Sequence, residues 1–414
     1  MFFRFKRPTE IQNAVISCAI KERCDLLGAA ETGSGKTFAF AIPLITRLLE
    51  EGISKKVDKP LLGGLILAPT RELVMQIKRQ IDALLKFTKF KIITIVGGLS
   101  QQKQERLLSY CPEIIVATPG RFWAFLQTAP SGNHLEDFSG LKCFVIDEMD
   151  RMVEKEISFC IAFLVYYIYH SDEKMQTLVF SATLTFVHPP PKRLISQSKH
   201  MTTDEKIQQL AAFAALRKNY KTIDLTRSFG TAERLVEAKI NCANLLEKDT
   251  AVLYLLKRYI GRTLLFINSI DAARRLHGIL KKPLMLHAKM IQKQRLKNLE
   301  KFAENSVLLA TDVAARGLDV QNVEHVIHYQ IPKTAELYIH RSGRTARASH
   351  RGLTILLVDL LDVQFYRRIC QNLNREKDLS IFPIDSQNLY SALKERVGVA
   401  TDLESVEYRI KKVF

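Results

Sequence analysis

Two tandem α/β lobes, each built on a parallel sheet with crossover helices, are the fold this sequence predicts, and three observations predict it. The 414 residues exceed one typical core. Short apolar runs alternate with longer helix-period patterns from Asp25 to about Leu225, and a second such series begins near Glu233. A glycine-rich turn stands between the first apolar run and the first helical pattern.

Composition bounds the class. With 47% hydrophobic and 25% charged residues the chain has the balance of an ordinary globular protein. A formal charge of +18 makes polyanions the expected partners, although an anionic membrane surface fits charge alone equally well. The seven cysteines are scattered, with no Cys-x-x-Cys pair and no histidine cluster at metal-ligand spacing, which predicts reduced, intracellular thiols. Met1–Arg7 lacks an apolar signal core, so secretion is not expected. The longest apolar run, Phe159 to Tyr169, is too short to span a bilayer and reads as a buried helix.

In chain order, Leu26 and Leu27 form the first strand and Ala29–Thr37 the turn, and Phe38, Phe40, Ile42, Leu44 and Ile45 mark a helix. Gly33 and Gly35 permit the turn, backbone N–H groups and the helix N-terminus face a phosphate chain, Lys36 reaches the outer phosphates and the Thr37 hydroxyl can sit on Mg²⁺. Ala30 stands where the general phosphate-loop pattern has its first glycine. Further strands are expected at Leu61–Ala68, Lys91–Val96, Glu113–Ala117, Leu141–Ile146, Thr177–Phe180 and Lys221–Leu225, with an insertion from Pro189 to Asn219. After a junction near Arg227–Ala232 come strands at Thr263–Ile267, Leu284–Leu286, Ser306–Ala310, Glu324–Tyr329 and Leu353–Val358. The expected division is 1–228, 229–375 and a tail, 376–414, without a readable motif.

Ligands of open α/β sheets bind beyond the carboxyl ends of strands, and the polar residues stand there. Asp147 is placed to hold Mg²⁺ through water, and Glu148 to orient and deprotonate an attacking water. Pro69-Thr70-Arg71-Glu72, Gly97-Gly98 and Thr118-Pro119-Gly120-Arg121 each set a helix N-terminus or exposed N–H groups beside Arg or Thr. That chemistry suits a phosphodiester backbone and is blind to base sequence. In the second lobe Ala310–Asp319 follows a strand, and His340–Arg347 lies in a helical pattern with Arg344 and Arg347 on one face. A lobe without its own phosphate loop, following one that has it, predicts a composite nucleotide site with arginines supplied by the second lobe.

This constellation resembles the DEAD-box RNA helicases of superfamily 2 over nearly the whole chain, and the resemblance implies two RecA-like lobes with a cleft between them. Pro8–Gln12 looks like the Q motif, whose Gln12 would read the adenine edge and select ATP. Ala30–Thr37 resembles motif I, so that Thr32, Gly33, Ser34, Gly35, Lys36 and Thr37 would hold the nucleotide. Pro69–Leu73 resembles motif Ia, Thr118–Arg121 motif Ib, Asp147–Asp150 motif II and Ser181–Thr183 motif III. Leu264–Ile270 resembles motif IV, Gln292 to Arg295 the Gln-x-x-Arg element, Ala310–Asp319 motif V and His340–Arg347 motif VI. By resemblance Pro69, Thr70, Arg71, Gly97, Gly98, Thr118, Pro119, Gly120, Arg121, Gln292, Arg295, Thr311 and Gly317 would meet RNA. Asp319 would reach the ribose, and Arg344 and Arg347 the γ-phosphate. Ser181 and Thr183 would couple closure over ATP to motif II, with Asp150 and His340 as partners. Met149 stands where the family's name has Ala, and an apolar residue suffices there.

The resemblance implies an ATP- and Mg²⁺-dependent RNA helicase, a monomer with no membrane partner. The runs Asp147–Met152, Ser181–Thr185, Lys221–Arg227 and Arg344–Ala348 are similar to the nucleolar branch that serves large ribosomal subunit assembly, which implies pre-ribosomal partners and a nuclear, nucleolar location. Two other readings use the same motifs. A non-catalytic ATP-dependent RNA clamp would bind without displacing strands, and a DNA translocase fits less well because the acidic tetrad ends in Asp150. The connection Leu280–Leu284, restricted by Pro283, and the turn Ala303–Ser306 are tight, which predicts strain in the second lobe.

Overall fold

The computed structural model describes residues 7–413 apart from 32, 53–59, 129–132, 154, 170–174, 183–202, 227–233, 282, 303–306, 313–322, 347–350 and 376. The chain divides into two compact units, Met1–Thr226 and Arg227–Phe414. The expected junction near Arg227–Ala232 lies outside the described residues.

Among its described residues the first unit holds seven parallel strands: β1 (Leu26–Ala29), β2 (Gly64–Leu67), β3 (Ile92–Ile95), β4 (Ile114–Ala117), β5 (Cys143–Ile146), β6 (Gln176–Ser181) and β7 (Lys221–Asp224). Their order is β3-β4-β2-β5-β6-β1-β7. Neighbouring side chains alternate between two buried faces, as parallel strands covered on both sides require. Leu27, Leu65, Phe144 and Val179 pack on one face with α4 (Gln101–Leu108), α5 (Pro119–Thr128), α7 (Lys155–Tyr169) and α8 (Thr203–Phe213). Leu26, Ile66, Val145 and Leu178 pack on the other with α1 (Glu10–Lys21), α2 (Lys36–Glu51) and α3 (Arg71–Leu85). A one-turn helix, α6 (Met149–Met152), follows β5.

Two expectations change here. Leu210, Ala211 and Ala214 are buried, so the second half of the stretch 189–219 belongs to the unit's core rather than to an insertion; residues 189–202 lie outside the described ones. Helix α7 is not buried all round. Ile161, Leu164, Val165 and Ile168 face inward, whereas Phe159 and Tyr166 are 65% and 68% exposed. Its aromatic residues made an amphipathic helix read as a uniformly apolar one.

The described residues of the second unit form a six-stranded parallel sheet of β8 (Leu235–Asn241), β9 (Thr263–Ile267), β10 (Leu284–Leu286), β11 (Val307–Thr311), β12 (His325–His328) and β13 (Gly352–Val358), in the order β10-β11-β9-β12-β13-β8. Its described helices are α9 (Leu245–Arg258), α10 (Ile270–Ile279), α11 (Gln292–Phe302), α12 (Ala335–Ser342), α13 (Val363–Asn372) and α14 (Gln387–Val413). Residues 376–414 contribute packing as well as length. Leu393 and Val397 of α14 are buried with Leu253, Tyr254 and Ile279, and Asp385 accepts from the Tyr254 hydroxyl and from Arg258 Nη2 at 2.7 Å. In the short connection before β10, Lys281 adopts φ 59°, a left-handed conformation that costs a non-glycine residue energy. Lys282 and the turn 303–306 are outside the described residues. No described helix is long and apolar enough to cross a membrane.

Candidate nucleotide and nucleic-acid sites

At the carboxyl end of β1 the chain reverses through Gly33 (φ 87°) and Gly35 (φ 92°), and α2 starts at Lys36. Side chains other than hydrogen seldom adopt that backbone, and a Cβ on Gly35 would also stand 2.5 Å from Gln12 Nε2. The Lys36 ammonium donates to the carbonyls of Ala30 and Glu31, at 2.5 and 3.0 Å, and Ser34 Oγ donates to Glu31 O at 2.7 Å. Thr37 is the next residue of α2 and is half-buried; Thr32 lies outside the described residues. Gln12 joins α1 to this turn. Its Nε2 donates to Gly35 O at 3.1 Å while its Oε1 accepts from Thr9 N at 3.0 Å, which fixes the amide's orientation.

Two strands away, β5 delivers Asp147, whose N–H donates to Leu67 O at 2.9 Å. Asp147 Oδ1 accepts the Glu148 N–H at 2.9 Å, and Glu148 takes a left-handed backbone (φ 53°) before α6. Arg151 Nη1 donates to Glu148 Oε2 at 2.8 Å, with both side chains under a tenth exposed. Burial first, then the Glu148 charge, push Asp147 up to about 7, while the Lys36 ammonium pulls the other way. A buried carboxylate that resists ionisation beside a second acid and a phosphate loop is a fitting ligand for a hard divalent cation. Asp150 is buried on α6. Met149 is fully buried in the core, as its apolar character predicts. Ser181 is fully buried at the end of β6, its carbonyl accepting the Ala30 N–H at 3.3 Å, so the motif III strand touches the phosphate turn. Thr183 lies outside the described residues.

Farther along the same sheet, the neighbouring strands β2, β4 and β3 end in the other polar turns. Thr70 caps α3, its Oγ1 accepting from Leu73 N at 3.3 Å, and Pro69 precedes it. The Arg71 guanidinium lies over the glycine turn after β3: a Cβ on Gly97 would meet Arg71 Nη2 at 2.9 Å, and Gly98 needs φ 77°. Thr118 N donates to Ile95 O at 3.0 Å, Pro119 and Gly120 open α5, and Arg121 stacks 4.6 Å from the Phe125 ring centroid. Three helix N-termini and two arginines thus line one edge, an array suited to successive phosphates.

In the second unit Thr311 ends β11, and Asp312 follows it into an ion pair that sequence reasoning did not single out. Arg341, almost wholly buried, donates from Nε and Nη2 to the two oxygens of Asp312 at 2.5 and 2.6 Å. It also donates to Asn268 Oδ1 at 2.6 Å and Gln330 O at 2.9 Å, and stacks on Phe266. Gln292 and Arg295 are both buried on α11. His340 is buried on α12, its carbonyl accepting from Arg344 Nε at 2.9 Å. The expectation that Arg344 sits with Arg347 on a helix face is corrected: α12 ends at Ser342 with Gly343 as its cap, and Ala346 turns left-handed (φ 54°). The Thr345 hydroxyl draws this turn onto Val323 O at 2.6 Å. Gly317, Asp319 and Arg347 lie outside the described residues.

Residues 9–189 match the family model of the DEAD/DEAH box helicase, and residues 247–349 that of the helicase conserved C-terminal domain. The chain belongs to the DEAD/DEAH box helicases. This helicase chain is 38% identical over 538 residues to "ATP-dependent RNA helicase DDX24" of Mus musculus, covering 99% of the chain and 62% of that protein. It is 37% identical over 410 residues to "ATP-dependent RNA helicase mak5" of Schizosaccharomyces pombe, covering 96% and 61%. The chain therefore spans about three fifths of the length of these relatives. The solved structure of Mss116p bound to ssRNA and AMP-PNP shares the fold, with a TM-score of 0.80 at 24% identity over 95% of this chain and 78% of that one.

Proposed function

We propose that this DEAD/DEAH box helicase is an RNA-dependent ATPase that couples hydrolysis to local RNA unwinding or ribonucleoprotein remodelling. The observation that carries the reading is the first unit's sheet: a phosphate turn and a buried acid pair stand at one group of strand ends, and helix N-termini with Arg71 and Arg121 at the adjoining group.

Lys36 exchanges the carbonyls of Ala30 and Glu31 for the outer phosphates of ATP, while Gly33, Ser34 and Gly35 present N–H groups to the phosphates and Thr32 takes part in holding the nucleotide. Gln12, already oriented by Thr9, reads the adenine edge. Thr37 and Asp147 would hold Mg²⁺, largely through water, and that ion supplies neutralisation of phosphate charge when bound. Glu148 orients the attacking water and accepts its proton, and Arg344 and Arg347 stabilise the charge developing on the γ-phosphate during turnover. Asp319 contacts the ribose. Pro69–Arg71, Gly97, Gly98, Thr118–Arg121, Gln292, Arg295, Thr311 and Gly317 hold the RNA backbone, with no base readout. Asp150, Ser181, Thr183 and His340 link RNA-bound closure to the acid pair. The motif details shared with the nucleolar branch support a place in large ribosomal subunit assembly, with pre-ribosomal particles as partners.

A strand-displacement assay on a short RNA duplex with a single-stranded overhang tests this reading. ATP-dependent displacement is expected. Tight ATP-dependent binding without displacement contradicts it and identifies a clamp.

A further inference from the structure

Cys18, Glu22 and Cys24 come together at the end of α1, outside the phosphate site. Cys18 Sγ lies 3.5 Å from Cys24 Sγ and 3.6 Å from Glu22 Oε1, and one donor atom from each falls within 4.8 Å of the others. Cys18 and Glu22 share a helix face at i and i+4, and Arg23, at φ 54°, turns the chain so that Cys24 faces back toward them. The frame beneath is held. Buried Gln176 donates from Nε2 to Ala19 O at 3.0 Å and to Cys24 O at 2.8 Å. Asp25 accepts from Thr177 N at 2.9 Å and Arg217 Nη2 at 2.7 Å.

We propose that Cys18, Cys24 and Glu22 form a binding site for a thiophilic divalent cation of the Zn²⁺ class. With bonds of about 2.3 Å to thiolate and about 2.0 Å to carboxylate, adjacent donors of a tetrahedron stand roughly 3.5 to 3.8 Å apart. The two separations from Cys18 Sγ fall at that spacing before any ion is added. The other carboxylate oxygen, Glu22 Oε2, is held by Lys221 Nζ at 2.5 Å, which is the outer hydrogen bond that ligating carboxylates carry. Glu22 is exposed and Cys18 half-buried, so a cation enters from solvent and a water completes its shell. Binding releases the two thiol protons to solvent. The bound cation ties the end of the Gln12 helix to the start of β1 and, through Lys221, to β7.

The test uses the full chain, reduced and stripped of metal, titrated with Cd²⁺ and read by thiolate-to-metal charge-transfer absorption, with Zn²⁺ competition giving its affinity. One cation per chain is expected. Cys18→Ser and Cys24→Ser each remove high-affinity binding, and Cys111→Ser and Cys370→Ser leave it intact. Lys221→Met, an exposed change that preserves the fold, keeps the band but weakens affinity by about 10- to 100-fold. No band in the wild type, a band that survives loss of both Cys18 and Cys24, or an unaltered affinity in Lys221→Met overturns the site.

Discussion

Arg151 Nη1 donates to Glu148 Oε2 at 2.8 Å, both side chains buried, so the acid assigned as the base of hydrolysis is held by a guanidinium one helical turn along the chain. Removing one member of a buried pair costs about 3–5 kcal/mol. Arg151→Met is expected to lower stability by that order in denaturant unfolding, whereas Glu148→Gln, which keeps an oxygen for Arg151, costs less. Equal stability of Arg151→Met and wild type would contradict the pairing.

Asp147 is held up to about 7, chiefly by burial. Because that lies above the ordinary carboxylate value, protonation stabilises the cation-free fold at acid pH, and the contribution is lost as pH rises through about 7. Proton and cation compete for the same oxygens. Mg²⁺ affinity in the presence of ATP is therefore expected to tighten as pH rises through this range, with proton release beyond that of ATP itself. Calorimetry in buffers of different ionisation enthalpy measures it, and Asp147→Asn should lose the excess; the same release from wild type and variant refutes the assignment.

Arg341 satisfies Asp312, Asn268 and Gln330 at once from within the second unit. Arg341→Met is expected to cost about 3–5 kcal/mol, and Arg341→Lys remains destabilised because an ammonium cannot reproduce the planar fork. Thermal unfolding checks both, and a lysine variant as stable as wild type would show that only charge matters.

Along α14, Leu393 is buried and Leu403 is 61% exposed. Leu393→Ala should cost about 2–5 kcal/mol, and Leu403→Ala less than about 0.5 kcal/mol. Similar values for the two in equilibrium unfolding would mean that this helix adds nothing to the second unit.

Much of this was legible because parallel strands buried on both faces read as continuous apolar runs, and because a glycine turn before Lys36 has few other uses. What escaped did so for physical reasons. Edge strand β8 carries exposed Val236 and polar Glu237 and Lys239, so its run is broken. Helix α14 buries only part of one face, and its mixed charge hid it. A buried arginine such as Arg341 looks in sequence like any basic residue, since its partner Asp312 lies far earlier in the chain. Gly343 was the signal that the helix stops before Arg344. Cys18 and Cys24 are separated by a spacing outside the usual metal patterns, and only the left-handed turn at Arg23 brings them together.

The most direct measurement is RNA-stimulated ATP hydrolysis by wild type and Glu148→Gln, made alongside ATP-dependent RNA binding. The account predicts that the variant loses stimulated hydrolysis and still binds RNA when ATP is present. Hydrolysis at the wild-type rate in Glu148→Gln would contradict it.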